Sequence, residues 1–391
     1  MTAPSPGRPG PATLAPTGHG AAPGAADVVD RGAAAADAAL SLRDQALAAL
    51  DEANPARGFE LAMQAVGALE ASGLLGGLDE AAVLIARAEI EEALDRFDDA
   101  RVTIAAAIAI LADVAAEDDD SVTLWCQAQE RMAGLERMAG DFAEAAARLR
   151  TVLDRASAAL GEASLAVVSA ANALGMVYKY AADFDAAQTA YRRAADALAG
   201  MPDPDPLLEA GLLHNLGGLA HSRGDAATGI PLAQRGAELR AEVLGAGHPD
   251  VARDLNALGA LYHLAGRYDD AARAYGQALT VFEDSYGPGH FEVAMTCANL
   301  AVLHGDQGDF ARAESVGRRA LEILVAIRGP DDAEVGLTLL NLAAAVAGQG
   351  KTAEAAELAT RASAILSDRL PPGHPHVVAA AEAARSYGRS A

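Results

Sequence analysis

The chain has few of the residues that build disulfide-stabilised or aromatic-rich proteins. Among 391 residues there are two cysteines, Cys126 and Cys297, two lysines, Lys179 and Lys351, and 4% aromatic residues. The cysteines are far apart and neither forms a Cys-x-x-Cys pair, so the sequence predicts neither a disulfide framework nor a zinc site. A membrane-spanning helix needs an apolar run of roughly 18 residues or more, and no charge-free run approaches that length, so the sequence predicts no membrane span.

Positive charge is also scarce. Fifty-four acidic residues against 30 basic ones give a net charge of −24. A nucleic-acid-binding protein needs a basic footprint that displaces counterions, and anionic membranes attract basic segments. We therefore expect no nucleic-acid or membrane partner, and a cytoplasmic protein. The excess of Ala, and of Arg over Lys, is typical of a GC-rich bacterial genome.

Residues 1–34 differ in composition from the rest of the chain. They contain six of the 17 prolines, interspersed with Gly, Ala and Thr, and they lack the charged segment and apolar run of a secretory signal. Without apolar periodicity this segment cannot bury enough surface to offset its chain entropy. The sequence predicts a disordered tail over 1–34 and a folded array over 35–391.

The array is repetitive, with a 42-residue period that is clearest over 120–370. A leading leucine recurs at this spacing at Leu174, Leu216, Leu258, Leu300 and Leu342. A small residue follows 13 positions later, at Ala187, Gly229, Ala271, Ala313 and Ala355. A second small residue follows 20 positions after each leucine, at Ala194, Gly236, Ala278, Ala320 and Ala362. Repeats of this length are the signature of solenoid proteins.

Each repeat has the apolar spacing of two helices joined by a short turn. In the repeat over 250–282, Val251, Leu255 and Leu258 follow helical spacing, and Gly266-Arg267 forms the turn before the second helix. The small columns lie where the two helices would cross, because a larger side chain would push them apart. The sequence predicts an all-α protein of about eight hairpins and a closing helix near 375–388.

The pattern resembles the tetratricopeptide repeat. The segment Asn256-Ala257-Leu258-Gly259-Ala260-Leu261-Tyr262, followed by Tyr268, Ala271, Tyr275 and Ala278, is the clearest copy. The 42-residue period and the linker Gly245-Ala246-Gly247-His248-Pro249 resemble the kinesin-light-chain type. The resemblance implies a right-handed superhelical solenoid whose first helices line a concave groove. The chain has no N-terminal heptad repeat, so association with a motor is not carried over.

No residues stand in a catalytic or metal-binding pattern. His374-Pro375-His376 has the spacing of a helix start, with Pro at the first helical position, rather than that of a metal site. Asp118-Asp119-Asp120 lies in a predicted loop, where it does not form a magnesium-binding helix face. We find no Ser-His-Asp order and no glycine-rich phosphate loop. The sequence predicts a protein that is not an enzyme and that binds no cofactor or metal.

Polar and basic side chains flank the leading leucines, where the resemblance places the groove. The candidates are Asn172, His214, Asn215, Asn256, Asn299 and Asn341, with Lys179, His221, Arg253 and His263 about one turn away. Asn can donate to and accept from an extended peptide backbone, and the resemblance implies such an asparagine ladder. The cations favour an acidic ligand or a free C-terminus. Alternatively, these asparagines only cap or solvate the helix face. We expect Asn256, Asn299 and Asn341 to face solvent.

Three functions remain open at this stage. The sequence favours a non-enzymatic scaffold or adaptor that binds a protein or peptide in its concave groove. The first alternative is a peptide-sensing regulator that acts through a separate DNA-binding or signalling partner, because no helix-turn-helix precedes the array. The second is a helical enzyme, which would need a catalytic constellation. The partner's identity and the oligomeric state are not predicted.

Overall fold

A computed structural model describes residues 25–51, 54–113 and 118–389. Over these residues the chain is entirely helical, without a strand, which confirms the predicted all-α class. The helices are α1 (Ala25–Asp51), α2 (Pro55–Ser72), α3 (Leu78–Ala93), α4 (Phe97–Asp113), α5 (Asp119–Ala139), α6 (Phe142–Leu160), α7 (Leu165–Tyr180), α8 (Phe184–Ala199), α9 (Pro206–Ser222), α10 (Ala226–Leu244), α11 (Pro249–Leu264), α12 (Tyr268–Tyr286), α13 (Phe291–Asp306), α14 (Phe310–Arg328), α15 (Ala333–Gly348), α16 (Thr352–Arg369) and α17 (Pro375–Gly388).

The chain forms two compact units, residues 1–131 and 132–391, with the boundary inside α5. In unit 1, α1 packs on α2 and α3 packs on α4. In unit 2, the pairs α7–α8, α9–α10, α11–α12, α13–α14 and α15–α16 form successive hairpins, and α17 packs on α16. Within unit 2 each of these hairpins contacts the next, as in a solenoid of tetratricopeptide-like repeats.

The first helix begins earlier than the sequence predicts. Of the expected tail over 1–34, residues 1–24 lie outside the described residues, and residues 25–34 belong to α1. The segment from Ala25 is rich in alanine, which is the strongest helix former. The helix propensity of these alanines outweighs the lack of apolar periodicity, which predicted a disordered tail.

From α3 onward, the turn inside each hairpin has one residue in the left-handed backbone region. Gly fills this position at Gly140, Gly224, Gly266, Gly308 and Gly350. Two non-glycine residues take its place, Asp95 with φ 57° and Ala182 with φ 60°. The recurrent glycine of the repeat is therefore explained by backbone geometry, since it adopts positive φ without the steric cost that a Cβ brings.

The linker histidines cap the first helices. The side chains of His248, His290 and His374 each accept a hydrogen bond from the backbone N–H two residues later. At His248 this Nδ1 acceptor lies 3.2 Å from the Asp250 nitrogen. The His374-Pro375-His376 segment thus starts a helix, as its spacing predicts. No group of three or more His, Cys, Asp or Glu within the described ranges is placed to hold a metal ion.

The small columns are buried at the helix crossings. Ala187, Ala194, Ala271, Ala278 and Ala362 have 0% exposure. At Gly229 an added Cβ would lie 2.5 Å from Leu261 Cδ2, so even alanine does not fit without a shift. Larger side chains fill the space between hairpins, including Phe282, Leu324, Leu339 and the thiol of Cys297. This burial accounts for the strictness of the small columns.

Unit 1 has its own apolar core. Ala46, Leu61 and Ile90 form one buried cluster, and Leu69 and Val83 belong to a second. The described helices of both units include none that is long and apolar enough to cross a membrane.

Candidate ligand-binding face

The first helices of unit 2 lie closer together than the second helices. Successive first helices α7, α9, α11, α13 and α15 contact one another directly, whereas within residues 142–388 successive second helices do not. Unit 2 therefore bends toward its first helices, and the side chains on the outer surface of these helices lie close to one another. This surface, called the first-helix face below, holds all ten candidate residues.

The asparagines join in pairs across neighbouring hairpins. Asn215 Nδ2 on α9 donates to Asn172 Oδ1 on α7 at 2.9 Å. Asn299 Nδ2 on α13 donates to Asn256 Oδ1 on α11 at 3.3 Å. These four side chains are half-buried, and Asn341 on α15 is exposed. Asn256 and Asn299, which we expected to face solvent, are only partly exposed, because the approach of α11 and α13 covers part of each side chain.

His214 joins α9 to α11, between the asparagine pair of α7 and α9 and that of α11 and α13. Its Nδ1 lies 2.7 Å from Asp254 Oδ1 on α11. Asp254 is 2% exposed and also accepts from Arg240 Nη1 on α10 at 2.8 Å. The pairs Asn172–Asn215, His214–Asp254 and Asn256–Asn299, called the polar ladder below, bridge α7, α9, α11 and α13 in sequence.

Two of the candidate cations already have carboxylate partners. Arg253 Nε donates to Glu292 Oε1 at 2.9 Å, and the guanidinium also pairs with Asp250. His263 Nε2 lies 2.8 Å from Asp306 Oδ2 on the next first helix. Carboxylates of the chain itself already occupy these two basic side chains, so they are weaker attractors for an acidic ligand than the sequence suggests.

Lys179 and His221, unlike Arg253 and His263, do not contact a carboxylate among the described residues. Lys179 Nζ lies 5.0 Å from the Tyr180 ring centroid, and a Cβ added at Gly218 on α9 would be 3.5 Å from Nζ. Desolvation and the nearby Arg137 lower the pKa of Lys179. Desolvation, His263 and Lys179 lower the pKa of His221. Neither side chain has a carboxylate partner among the described residues.

Three further residues lie at or directly behind this face and were not among the candidates: Arg137 on α5, Asp254 on α11 and Arg240 on the second helix α10. Arg137 stands one full repeat before Lys179, so extending that column toward the N-terminus would have found it. Arg240 occupies a column that holds Leu198, Leu324 and Leu366 elsewhere. A charged residue in an otherwise apolar column was the signal that a buried ion pair was present.

Comparison with known proteins identifies the family. The tetratricopeptide repeat profile matches residues 125–199, 208–284 and 292–368. The chain belongs to the tetratricopeptide-repeat family. A comparison with curated proteins gave no match.

Solved tetratricopeptide-repeat structures resemble this chain at low sequence identity. BtubC (BKLC) from P. vanneervenii is 24% identical, over 61% of this chain and 93% of that one, with a TM-score of 0.49. Kinesin light chain repeats from Podosopora anserina are 16% identical, over 52% and 95%, with a TM-score of 0.41. A Rap protein solved in complex with competence and sporulation factor is 14% identical, over 80% and 88%, with a TM-score of 0.55. The last of these supports the fold.

The first-helix face of this tetratricopeptide-repeat array offers hydrogen-bonding groups at regular intervals. Each asparagine amide has two donor hydrogens and two acceptor lone pairs, and the pairing uses one group on each side chain. The remaining groups stay available at the half-buried surface. The arrangement can hold a chain that presents backbone N–H and C=O groups along its length.

Proposed function

We propose that this tetratricopeptide-repeat protein is a non-enzymatic interaction scaffold whose first-helix face in unit 2 binds an extended segment of a protein ligand. The ligand's backbone lies along the polar ladder, and acidic side chains or a free C-terminus lie near the cations. The observation that carries this proposal is the unbroken ladder, with Asn172–Asn215, His214–Asp254 and Asn256–Asn299 at consecutive steps.

The ladder's position supports a ligand role as well as a structural one. A purely structural bridge between hairpins can be apolar, as at Leu324 and Leu339 in the core. Amide pairs that stay half-buried keep unused donors and acceptors next to water, where a ligand backbone can replace that water. Backbone recognition of this kind tolerates many ligand sequences, which suits a scaffold.

The family and fold comparisons are consistent with this proposal. Among the solved structures of similar fold, the Rap protein was crystallised with a bound factor. At 14% identity this similarity gives the fold, and the proposal for this chain depends on its own first-helix face.

The test compares a ladder variant with a matched control in ligand capture and affinity. Asn256→Ala/Asn299→Ala removes a complete pair, so neither amide is left half-buried without its partner. Gln188→Ala/Gln277→Ala on α8 and α12 removes two polar side chains from second helices. Proteins captured from the source cell by the wild type are identified, and their binding segment is synthesised for titration.

We expect the ladder variant to bind that segment about tenfold more weakly, a change of roughly 1.4 kcal/mol, and the control to match the wild type. Circular dichroism and thermal melting establish that both variants are folded. Equal affinity of the wild type and a folded ladder variant would overturn the proposal.

A further inference from the structure

Four basic side chains occupy one register at the C-terminal ends of successive first helices. Arg137 lies in the last turn of α5, Lys179 in that of α7, His221 in that of α9 and His263 in that of α11, and each follows the previous one by the length of one repeat. We call these four residues the basic strip. All four belong to unit 2, and the strip runs beside the polar ladder.

Neighbouring members of the strip are close in space. The Tyr180 ring lies between the first two, with Arg137 Cζ and Lys179 Nζ each 5.0 Å from its centroid. Lys179 then extends to α9 at Gly218, one turn before His221. The strip is a line of basic side chains on a protein whose net charge is −24.

Three basic side chains on this face contact carboxylates of the chain itself. His263 pairs with Asp306, His214 with Asp254, and Arg253 with Glu292. Across the described part of unit 2, no carboxylate pairs with Arg137, Lys179 or His221. The chain thus supplies a carboxylate at the α11 end of the strip and leaves three positions without one.

Stabilisation of helix ends does not fully explain the strip. A cation in the last turn of a helix interacts favourably with the helix dipole, by about 0.3–1 kcal/mol at exposed sites. However, desolvation and the nearby Arg137 lower the pKa of Lys179. Desolvation, His263 and Lys179 lower the pKa of His221. Like charges brought together oppose this gain, and an external anion would relieve their repulsion.

We infer that Arg137, Lys179 and His221 bind the carboxylates of an acidic segment of the protein ligand, and that protonation of His221 strengthens this binding as the pH falls. This inference rests on the proposed function, since it assigns the chemistry of the ligand's side chains. Phosphate and nucleic acid are alternative anions that the experiment tests.

The direction of the pH effect follows from the surroundings of His221. Lys179 on α7 and His263 on α11 face His221. In the turn after α9, Arg223 pairs with Asp185 and Asp225 caps α10. In the free protein, desolvation together with the nearby His263 and Lys179 holds the pKa of His221 below that of an ordinary histidine. A bound carboxylate raises its pKa, so binding takes up a proton. Affinity then rises as pH falls below about 6.5, while ligand carboxylates, with pKa about 4.3, remain ionised.

The experiment uses the full chain and a defined acidic probe. The probe is a fluorescein-labelled, C-terminally amidated peptide of four Glu-Gly repeats, and a Gln-Gly peptide is its neutral counterpart. Fluorescence anisotropy at low salt gives affinities at pH 7.5 and pH 5.5. The two lysines provide a matched pair, because Lys179→Gln and Lys351→Gln change net charge equally while Lys351 already pairs with Glu314.

We expect the wild type to bind the acidic probe about fivefold more tightly at pH 5.5 than at pH 7.5, and the neutral probe weakly at both. Lys179→Gln should weaken binding about fivefold or more, and Lys351→Gln less than about twofold. His221→Gln should remove the pH effect, whereas His376→Gln on α17 should preserve it.

Several outcomes would overturn the inference. The first is an equal loss of affinity in the two lysine variants, and the second is retention of the pH effect in His221→Gln. The third is absence of binding to the acidic probe. The fourth is complete competition by inorganic phosphate or an oligonucleotide at concentrations where free glutamate has no effect. The ladder variant Asn256→Ala/Asn299→Ala is measured in parallel. If only the strip variants lose binding, the inference stands and the result counts against the proposed role of the ladder. If only the ladder variant loses binding, the ladder proposal stands and the inference is overturned.

Discussion

Arg240 and Asp254 form a buried ion pair between the α9–α10 and α11–α12 hairpins, with Arg240 Nη1 2.8 Å from Asp254 Oδ2. Counted along the chain from α1–α2, these are the fifth and sixth hairpins, and α13–α14 and α15–α16 are the seventh and eighth. Their side chains are 14% and 2% exposed. At the corresponding positions of the seventh and eighth hairpins stand Leu324 and Thr338. A charged pair thus stands where the seventh and eighth hairpins have an apolar and an uncharged side chain.

We predict that Asp254→Thr destabilises the protein and that adding Arg240→Leu restores it. The single variant leaves the Arg240 guanidinium buried without its carboxylate, at a cost of about 3 kcal/mol. The double variant recreates the side chains of the seventh and eighth hairpins and should lie within about 1 kcal/mol of the wild type. Urea unfolding measures both. Equal destabilisation by the single and double variants would contradict this account.

The asparagine pairs should contribute to stability, unlike the exposed asparagine. Asn299→Ala removes the donor to Asn256, and we expect unfolding free energy to fall by about 1 kcal/mol. Asn341 is exposed, so Asn341→Ala should change stability by less than about 0.5 kcal/mol. A double-mutant cycle on Asn256 and Asn299 measures their coupling. A coupling of zero would indicate that the two amides do not bond in solution.

Replacing Ala182 with glycine should stabilise the protein. It has φ 60° in the turn between α7 and α8, where five other hairpins have glycine. A left-handed conformation costs a non-glycine residue roughly 1–2 kcal/mol, so Ala182→Gly should stabilise the protein by about 1 kcal/mol. The adjacent Ala181 has φ −75°, and Ala181→Gly is the control, expected to be neutral or destabilising. The melting temperature should rise for the first variant only.

Glu314 should make the last two hairpins sensitive to acid. Hydrogen bonds from Lys351, Arg318 and Gln349 lower its pKa to about 2. Because the folded-state pKa lies below the unfolded value, the stabilisation is present above about pH 4.5 and is lost as the pH falls from there toward 2. Glu314→Gln should therefore reduce the loss of stability between pH 5 and pH 3. An unchanged pH profile in this variant would show that the carboxylate contributes little.

The sequence indicated where the candidate face lies but not how its residues pair. The 42-residue period placed Asn172, Asn215, Asn256 and Asn299 on neighbouring first helices. It did not show that Asn215 would reach Asn172 or that Asn299 would reach Asn256, because side-chain contact depends on how closely successive first helices approach. Whether each cation is neutralised by a neighbour depends on the same distances.

The sequence by itself determined the helices, their turns and the repeat, because these depend on local propensity, apolar spacing and left-handed turn positions that recur in each hairpin. Tertiary structure alone decided which polar groups meet. Approach of the first helices enclosed the asparagine pairs, buried Asp254 beside Arg240, and supplied Arg253 and His263 with carboxylates. It left Arg137, Lys179 and His221 in a line without such partners among the described residues. The reason is physical: a repeat fixes the order of side chains along each helix, whereas hydrogen bonds and ion pairs form only where packing brings two helices within reach.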